Sequence, residues 1–416
     1  MRQKQNDTTQ ERNASFMLIK NARLVDETGV VMGDICMENG KITAIGRELF
    51  GEGPIIDAKG RAVLPAFIDL HCHFRTPGFT HKEDLLSGSR AAARGGYTFV
   101  NCMANTMPIC STRDIADSVM QKAREINLCG VNQCISITKD FDGETLTHLH
   151  DLPDYLRCIS DDGNGVQSGA VMEQAMRIAK EKGLTIFSHA EDKTLSSTDY
   201  RLAEDLETIR NLYLAAYTGA KLHLCHVSTY GALNAIRAAR REGLAVTFEV
   251  TPHHIWFTSG DYRVNPPIRT AKDTAALIAA MKNGEVNAIA TDHAPHTDAD
   301  KANGAPGMVG LETAFGVCYT KLCLENALPL TALSRMMSAE PARILNLPKG
   351  LLRPGYDADV VVVDTELPYT VRKADFYSKS RNTPFDGVRL TGKVEMTVKA
   401  GEITFVSERP IEKMHG

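Results

Sequence analysis

An α/β fold, a (β/α)8 barrel joined to a small composite β-sandwich domain built from both chain ends, is what this sequence predicts, and three observations predict it. Eight short apolar runs recur through the middle of the chain, and amphipathic stretches of helical length separate several of them. Strand-and-turn segments without intervening helix flank that repeat on both sides. At 416 residues the chain exceeds one ordinary small domain and suits a barrel with an attached unit.

The elements follow in order. Residues 1–15 are polar, carry charges of both signs and lack an apolar core, which predicts a disordered tail and not a secretory signal. Over 16–61, Phe16 to Ile19, Val31 to Met37 and Ile42 to Ile45 read as strands, with Glu38-Asn39-Gly40 as a turn. The barrel is expected over 62–347. Its strands are read at Ala66 to Leu70, Tyr97 to Cys102, Asn132 to Ile137, Leu156 to Ser160, Leu184 to Ser188, Lys221 to Cys225, Ala245 to Val250 and Val286 to Ala290. Leu85 to Arg94, Ala170 to Lys182 and Ala232 to Arg241 have helical character, and eight such strand-helix units close into a barrel. Over 348–416, Val360 to Val363 and Val394 to Lys399 return to strand, and the two flanking segments are expected to form one β domain.

Composition narrows the class. Hydrophobic residues make up 43% and charged residues 24% of the chain, and a net charge of -4 argues against a nucleic-acid surface. No apolar run is long enough to span a membrane. The ten cysteines lie in apolar stretches without a CxxC pair, which predicts buried thiols in a reducing cytoplasm. A small molecule is the expected partner.

The chemistry is carried by the strand ends. His71 and His73 stand two apart at the end of the first run, so in a strand both imidazoles leave on one side. Active groups of such a barrel sit where strands end at the C-terminal face. His71 and His73 follow the first strand, Asp161 and Asp162 the fourth, His189 the fifth, His226 the sixth and Asp292 the eighth. Imidazole and carboxylate suit Zn2+, and this set exceeds the needs of one four-coordinate ion. Two ions are therefore expected, one held by His71, His73 and Asp292, the other by His189 and His226, with Asp161 between them. Such ions lower the pKa of water from roughly 15.7 to about 7 and polarise a carbonyl. Asp292 is the best placed base to pass a proton to a leaving nitrogen. His253 and His254, adjacent at the seventh strand end, are read as packing or supporting groups.

These residues occur in familiar company. The segments Asp69-Leu70-His71-Cys72-His73-Phe74-Arg75, Met103-Ala104-Asn105-Thr106, Ser160-Asp161-Asp162-Gly163, His189-Ala190-Glu191-Asp192, Cys225-His226-Val227-Ser228-Thr229, Asn265-Pro266-Pro267-Ile268-Arg269 and Thr291 to His296 resemble the amidohydrolase superfamily, and more closely its dihydroorotases. The resemblance runs from Ile19 to Val406. It implies a zinc-dependent hydrolase that reversibly closes N-carbamoyl-L-aspartate to L-dihydroorotate in pyrimidine biosynthesis. It also implies that Arg75, Asn105 and His296 contact the substrate carboxylate and that Asn265 contacts the ring. A guanidinium gripping a carboxylate through two parallel hydrogen bonds agrees with an acidic substrate. The competing role for Arg75 is an ion pair with Glu83 or Asp84. The glycine-rich segment from His296 to Gly310 is expected to line the pocket, with Pro306 and Gly307 offering backbone contacts.

Two departures matter. Many relatives carry a carboxylated lysine between the metals, whereas Cys158-Ile159-Ser160-Asp161-Asp162-Gly163 has no lysine. It resembles the branch that uses aspartate, whose shorter reach leaves a single-ion site as the alternative. Thr76 stands where the pattern usually has glutamate. A hydantoinase or allantoinase, or a non-catalytic partner of a transcarbamoylase, would share the fold, but the acidic-substrate residues and the complete ligand set favour dihydroorotase. A homodimer is compatible with the resemblance.

Overall fold

The computed structural model describes residues 16–408 together with the backbone of 413–414, so the expected tail over 1–15 lies outside the described residues. Short parallel strands form at seven of the eight expected runs, while the third starts earlier than Asn132 to Ile137 and shares only Asn132 and Gln133 with it. Phe67–Cys72, Tyr97–Cys102 and Gly130–Gln133 make one three-stranded sheet. Cys158–Ile159, Thr185–Ser188, Lys221–Leu224, Thr247–Val250 and Ala288–Ile289 make a five-stranded one. Parallel bridges close the two into a barrel: Ile135 pairs with Ile159, and Cys72 pairs with His293. Every residue of Phe67–Cys72 is buried, the pattern of a strand packed on both faces.

Helices return the chain between strands. Leu85–Arg94 follows the first strand, and Asp84 caps it by accepting from the backbone N–H of Leu86 (3.0 Å) and Ser87 (2.9 Å). Gly169–Lys182, Tyr200–Thr218 and Tyr230–Arg241 follow the fourth, fifth and sixth strands. After the third strand the chain makes only 3-10 turns, Lys139–Phe141 and Thr147–Asp151. Asp142 turns the backbone there by accepting from the N–H of Glu144 and Thr145, both at 2.8 Å, which competes with helix. Among the described residues no helix is long and apolar enough to cross a membrane.

The flanking segments meet. Phe16–Asp26, Gly29–Glu38 and Lys41–Gly46 from the start of the chain join Val360–Thr370, Arg389–Lys399 and Glu402–Val406 from its end in one nine-stranded sheet. Ala62–Pro65 is the splice, pairing parallel to Phe16–Asp26 and antiparallel to Val360–Thr370. It thus belongs to the β domain, four residues that the sequence reading had placed with the barrel. Ile19, Ile35, Met37, Val63, Val360 and Val398 share one apolar core within this sheet.

The loops above the barrel pack tightly. Gly78 has φ +93°, and a Cβ there would lie 2.2 Å from the carbonyl oxygen of Met107, where the loop after the first strand touches the one after the second. Only glycine allows both the left-handed backbone and that approach. Gly78→Ala should cost about 1–3 kcal/mol, read as a lower midpoint in thermal or urea unfolding; an unchanged midpoint would show that the two loops part freely.

Candidate metal and substrate site

The imidazoles of His71, His73, His189 and His226 converge at the C-terminal mouth of the barrel around one buried carboxylate, that of Asp162. Its Oδ1 lies 3.2 Å from Nε2 of His71, 3.4 Å from Nδ1 of His189 and 3.6 Å from Nε2 of His226, while Oδ2 lies 3.6 Å from Nε2 of His73. Asp292 completes the cluster, with Oδ1 at 3.2 Å from Nε2 of His73 and 3.7 Å from Nε2 of His71. His71, His73 and Asp292 form one group able to hold a cation, and His71, Asp162 and His226 a second.

Asp161, expected between the metals, does not point there. Its carboxylate accepts from the backbone N–H of Ile137 (2.6 Å) and Thr138 (3.1 Å) and from the Thr138 hydroxyl (2.5 Å), tying the third strand end to the fourth. Neighbouring residues of an extended chain face opposite sides, so only one of the two aspartates can face the barrel axis. That one is Asp162.

The cluster fits a divalent cation. Nε2 of His71 and Oδ1 of Asp162 are both buried and make no hydrogen bond, although buried polar atoms normally find partners. Burial works against a charged His71 ring, yet the Asp162 carboxylate overrides it and raises its pKa well above the ordinary value. Burial likewise opposes a charged His189, but Asp162 and Glu191 push its pKa up to about 10. Burial would raise the Asp162 pKa, and the surrounding imidazoles instead hold it well below the usual carboxylate range. This is a field built for positive charge, lined with the nitrogen and oxygen donors that suit zinc.

Three of the four imidazoles are aimed by their other nitrogen. Nδ1 of His71 meets Glu249 at 3.0 Å, Nδ1 of His73 meets the Asn105 side-chain oxygen at 2.9 Å, and Nε2 of His189 meets Glu191 at 2.8 Å. Such partners fix ring orientation and raise ligand basicity. Glu249 also accepts from Nε2 of His223 at 3.0 Å, which keeps its pKa at about 2 against the opposing effect of burial. Neither Glu249 nor Glu191 was singled out from sequence. A carboxylate inside the buried run Phe248-Glu249-Val250 was the available signal, since unpaired buried acids are rare.

The substrate-side residues gather beside the cluster. Arg75 is buried; its Nε donates to the Pro295 carbonyl at 3.2 Å and its Nη2 to Nε2 of His296 at 3.3 Å. Its pKa is lowered to about 10 by burial, so it stays charged at neutral pH. Glu83 engages His293, Ser87 and Ser378 instead, and Asp84 caps its helix and meets Lys379, so neither takes Arg75. Burial, reinforced by Arg75, lowers the pKa of His296 to about 3 and keeps the ring neutral. Asn265 receives the Tyr200 hydroxyl and donates to Glu191 at 3.1 Å. Pro306 is exposed. The backbone of Gly307 is already engaged: its N–H donates to Arg263 at 3.0 Å, and its carbonyl accepts from Lys301 (2.9 Å) and Asn382 (3.1 Å). A backbone contact from Gly307 to a ligand is therefore not supported.

The amidohydrolase family model matches residues 62–404. A dihydroorotase of Clostridium botulinum is 49% identical over 94% of this chain and 99% of its own length, and one from Caldanaerobacter subterraneus is 39% identical over 96% and 99%. The chain belongs to the amidohydrolase family, among its dihydroorotases. Of solved structures, an L-hydantoinase (dihydropyrimidinase) from Arthrobacter aurescens superposes with a TM-score of 0.87 at 25% identity, covering 95% of this chain and 97% of that one. A dihydropyrimidinase from Brevibacillus agri gives 0.86 at 22%, covering 96% of each, which speaks for the shared fold.

In this dihydroorotase-family chain the two adjacent aspartates separate by experiment. Asp162→Asn should weaken zinc binding more than tenfold, whereas Asp161→Asn should leave it within a few-fold and cost about 1–3 kcal/mol of stability. Zinc titration of both variants beside unfolding curves checks this; equal loss of metal in both would return Asp161 to the ligand set.

Proposed function

We propose that this protein is a zinc-dependent dihydroorotase, reversibly closing N-carbamoyl-L-aspartate to L-dihydroorotate with loss of water, and that His71, His73, Asp162, His189, His226 and Asp292 hold two zinc ions. The observation that carries the substrate is the buried Arg75 hydrogen-bonded to the half-buried His296 beside the metal-ligand cluster. A charged guanidinium and a neutral imidazole aimed at one spot form a receptor for a carboxylate, which a plain hydantoin ring lacks. The relatives named dihydroorotase support the same reading.

The chain's own residues divide the work. When bound, the divalent cation supplies Lewis acidity at the ring carbonyl and acidifies the attacking water. Arg75 and His296 anchor the ring carboxylate and so fix the distance between that anchor and Asp292. Asn105 holds His73 with its carbonyl oxygen, leaving its amide N–H groups to donate; one reaches Asp162 at 3.4 Å. Burial opposes ionisation of Asp292, but His73 and His71 hold its pKa well below the usual carboxylate range, so it starts as a base. In hydrolysis it accepts the proton of the attacking water and returns it to the ring nitrogen as the C–N bond breaks. Cyclisation runs these transfers backwards. Asn265, steadied by Tyr200, faces the ring. The ten cysteines are all free thiols, nine of them buried, which supports a reducing, cytoplasmic setting.

Zinc-loaded protein should consume dihydroorotate, followed by loss of its ultraviolet absorbance; turnover of hydantoin or allantoin without dihydroorotate would sink the assignment. Asp292→Asn should lower kcat on the order of 10²–10⁴-fold, and near-normal turnover would move the proton transfer elsewhere. Arg75→Met should raise KM roughly 10–100-fold, the worth of one or two charge-assisted hydrogen bonds; an unchanged KM would remove Arg75 from the clamp.

A further inference from the structure

Asp292 holds a positive φ of 47°, a conformation that persists only where neighbours fix it. The residues on both sides of it are fixed, each by a fully buried carboxylate. Thr291 is tied to Asp69, its N–H donating to Oδ1 at 2.9 Å and its hydroxyl to Oδ2. His293 is tied to Glu83, whose Oε2 lies 3.3 Å from Nε2 of the ring. The backbone N–H of Gly310 meets Nδ1 of the same ring at 3.1 Å. A backbone N–H can only donate, so Nδ1 accepts, the ring proton sits on Nε2, and Nε2 donates to Glu83. The ring is itself fully buried and lies edge-on to Phe74 with centroids 6.4 Å apart, and close packing leaves it no second position.

Glu83 differs from Asp69 in what else it holds. It stands just ahead of the helix Leu85–Arg94 and accepts from the Ser87 hydroxyl on that helix, from the Ser378 hydroxyl and from the N–H of Lys379 at 3.1 Å. With His293 that makes four donors, as many as a carboxylate accommodates. Among the described residues no lysine or arginine pairs with it. A buried anion without a cation is a costly way to join segments that neutral hydroxyl and amide groups could join by themselves. The donors from Ser87, Ser378 and Lys379 lead only to supporting structure. The His293 ring leads to Asp292, its neighbour in the chain.

We infer that Glu83 is a positioning residue for Asp292: through the His293 ring it fixes the backbone from which the Asp292 carboxylate reaches the substrate's ring nitrogen, and through Ser378 and Lys379 it keys that backbone to the segment between strands Val360–Thr370 and Arg389–Lys399. The inference rests on the reading of Asp292 as the base. It is separable from substrate binding, because other residues hold the same segment against the clamp: Asn382 accepts from the N–H of His296 at 3.1 Å, and Glu312 accepts from the N–H of Tyr377 at 2.9 Å.

Steady-state hydrolysis of dihydroorotate by the full chain, with zinc in excess, tests it. Glu83→Gln should lower kcat roughly 10–100-fold with KM within about threefold of wild type, and His293→Gln should do the same. In the His293→Gln background, Glu83→Gln should cost less than about twofold more, because the path is already cut. Ser378→Ala removes one donor from Glu83 but keeps its contact with His293, so it should lower the unfolding midpoint and leave kcat within about twofold. Full kcat in Glu83→Gln beside an active wild type overturns this inference alone, as do additive losses in the double variant or a loss in Ser378→Ala equal to that in Glu83→Gln. An inactive wild type overturns the functional reading along with it. Should Glu83→Gln fail to fold, His293→Gln and Ser378→Ala still decide, since equal kcat in those two removes the path through the ring.

Discussion

The structure depends on one buried carboxylate, that of Asp162. A lone anion at that depth would cost several kcal/mol in lost hydration, and here it is surrounded by four imidazoles from three different strand ends. Each imidazole is in turn buried and would resist charge by itself. The cluster is electrostatically sensible only as a whole, with carboxylates and rings sharing the charge of a cation or of protons. The barrel makes that sharing achievable, because parallel strands of a closed sheet deliver their last residues to one small mouth. Phe67–Cys72 and Thr185–Ser188 are short and wholly buried, and they leave no freedom for the histidines that follow them to go elsewhere.

How much of this was legible in the sequence follows from which signals are local. Period-two spacing put His71 and His73 on one face, and apolar runs marked seven of the eight strands, because burial on both faces leaves no polar alternation to confuse them; the third, Gly130–Gln133, ends in Asn132 and Gln133 and lies ahead of the apolar run read for it. The choice between Asp161 and Asp162 was not legible, since it turns on the parity at which a two-residue strand stops. Cys158–Ile159 ends early, and Thr138 supplies a competing set of donors that captures Asp161. Glu249 and Glu191 escaped for another reason. Glu249 takes its meaning from His71, distant along the chain, where no spacing rule reaches, whereas Glu191 stands two residues from His189, and that spacing was a usable signal. The splice of Ala62–Pro65 into the β domain was hidden likewise, because a four-residue apolar strand looks the same whichever sheet it joins.

The β domain is more than an appendage to the mouth. Asn382, on the segment leading into Arg389–Lys399, accepts from the backbone N–H of His296 at 3.1 Å and donates to the carbonyls of Ala294 and Gly307, each at 3.1 Å. Glu83, fully buried, accepts from the N–H of Lys379 at 3.1 Å and lies 3.3 Å from Nε2 of His293. The end of the chain therefore holds the loop bearing His296, while the loop bearing Arg75 is held by the Pro295 carbonyl. A carboxylate clamp built from two mobile loops would lose much of its affinity to ordering, and this cross-bracing removes that cost in advance.

Backbone strain marks the same places. Arg75, His226 and Asp292 all have positive φ, at 55°, 35° and 47°, a region that costs side chains of their size of order 1–3 kcal/mol each. Such conformations persist only where the surroundings over-determine them. The N–H of His226 donates to Glu249 at 3.3 Å, and that of His73 donates to the carbonyl of His293, beside Asp292, at 2.9 Å. Helix Tyr200–Thr218 adds support from outside: Glu204 meets Arg269 at 2.8 Å, Glu207 accepts from the N–H of Glu191 at 3.2 Å, and Asn211 donates to Ser188 at 2.9 Å. The inward face of that helix thus braces the strained strand ends.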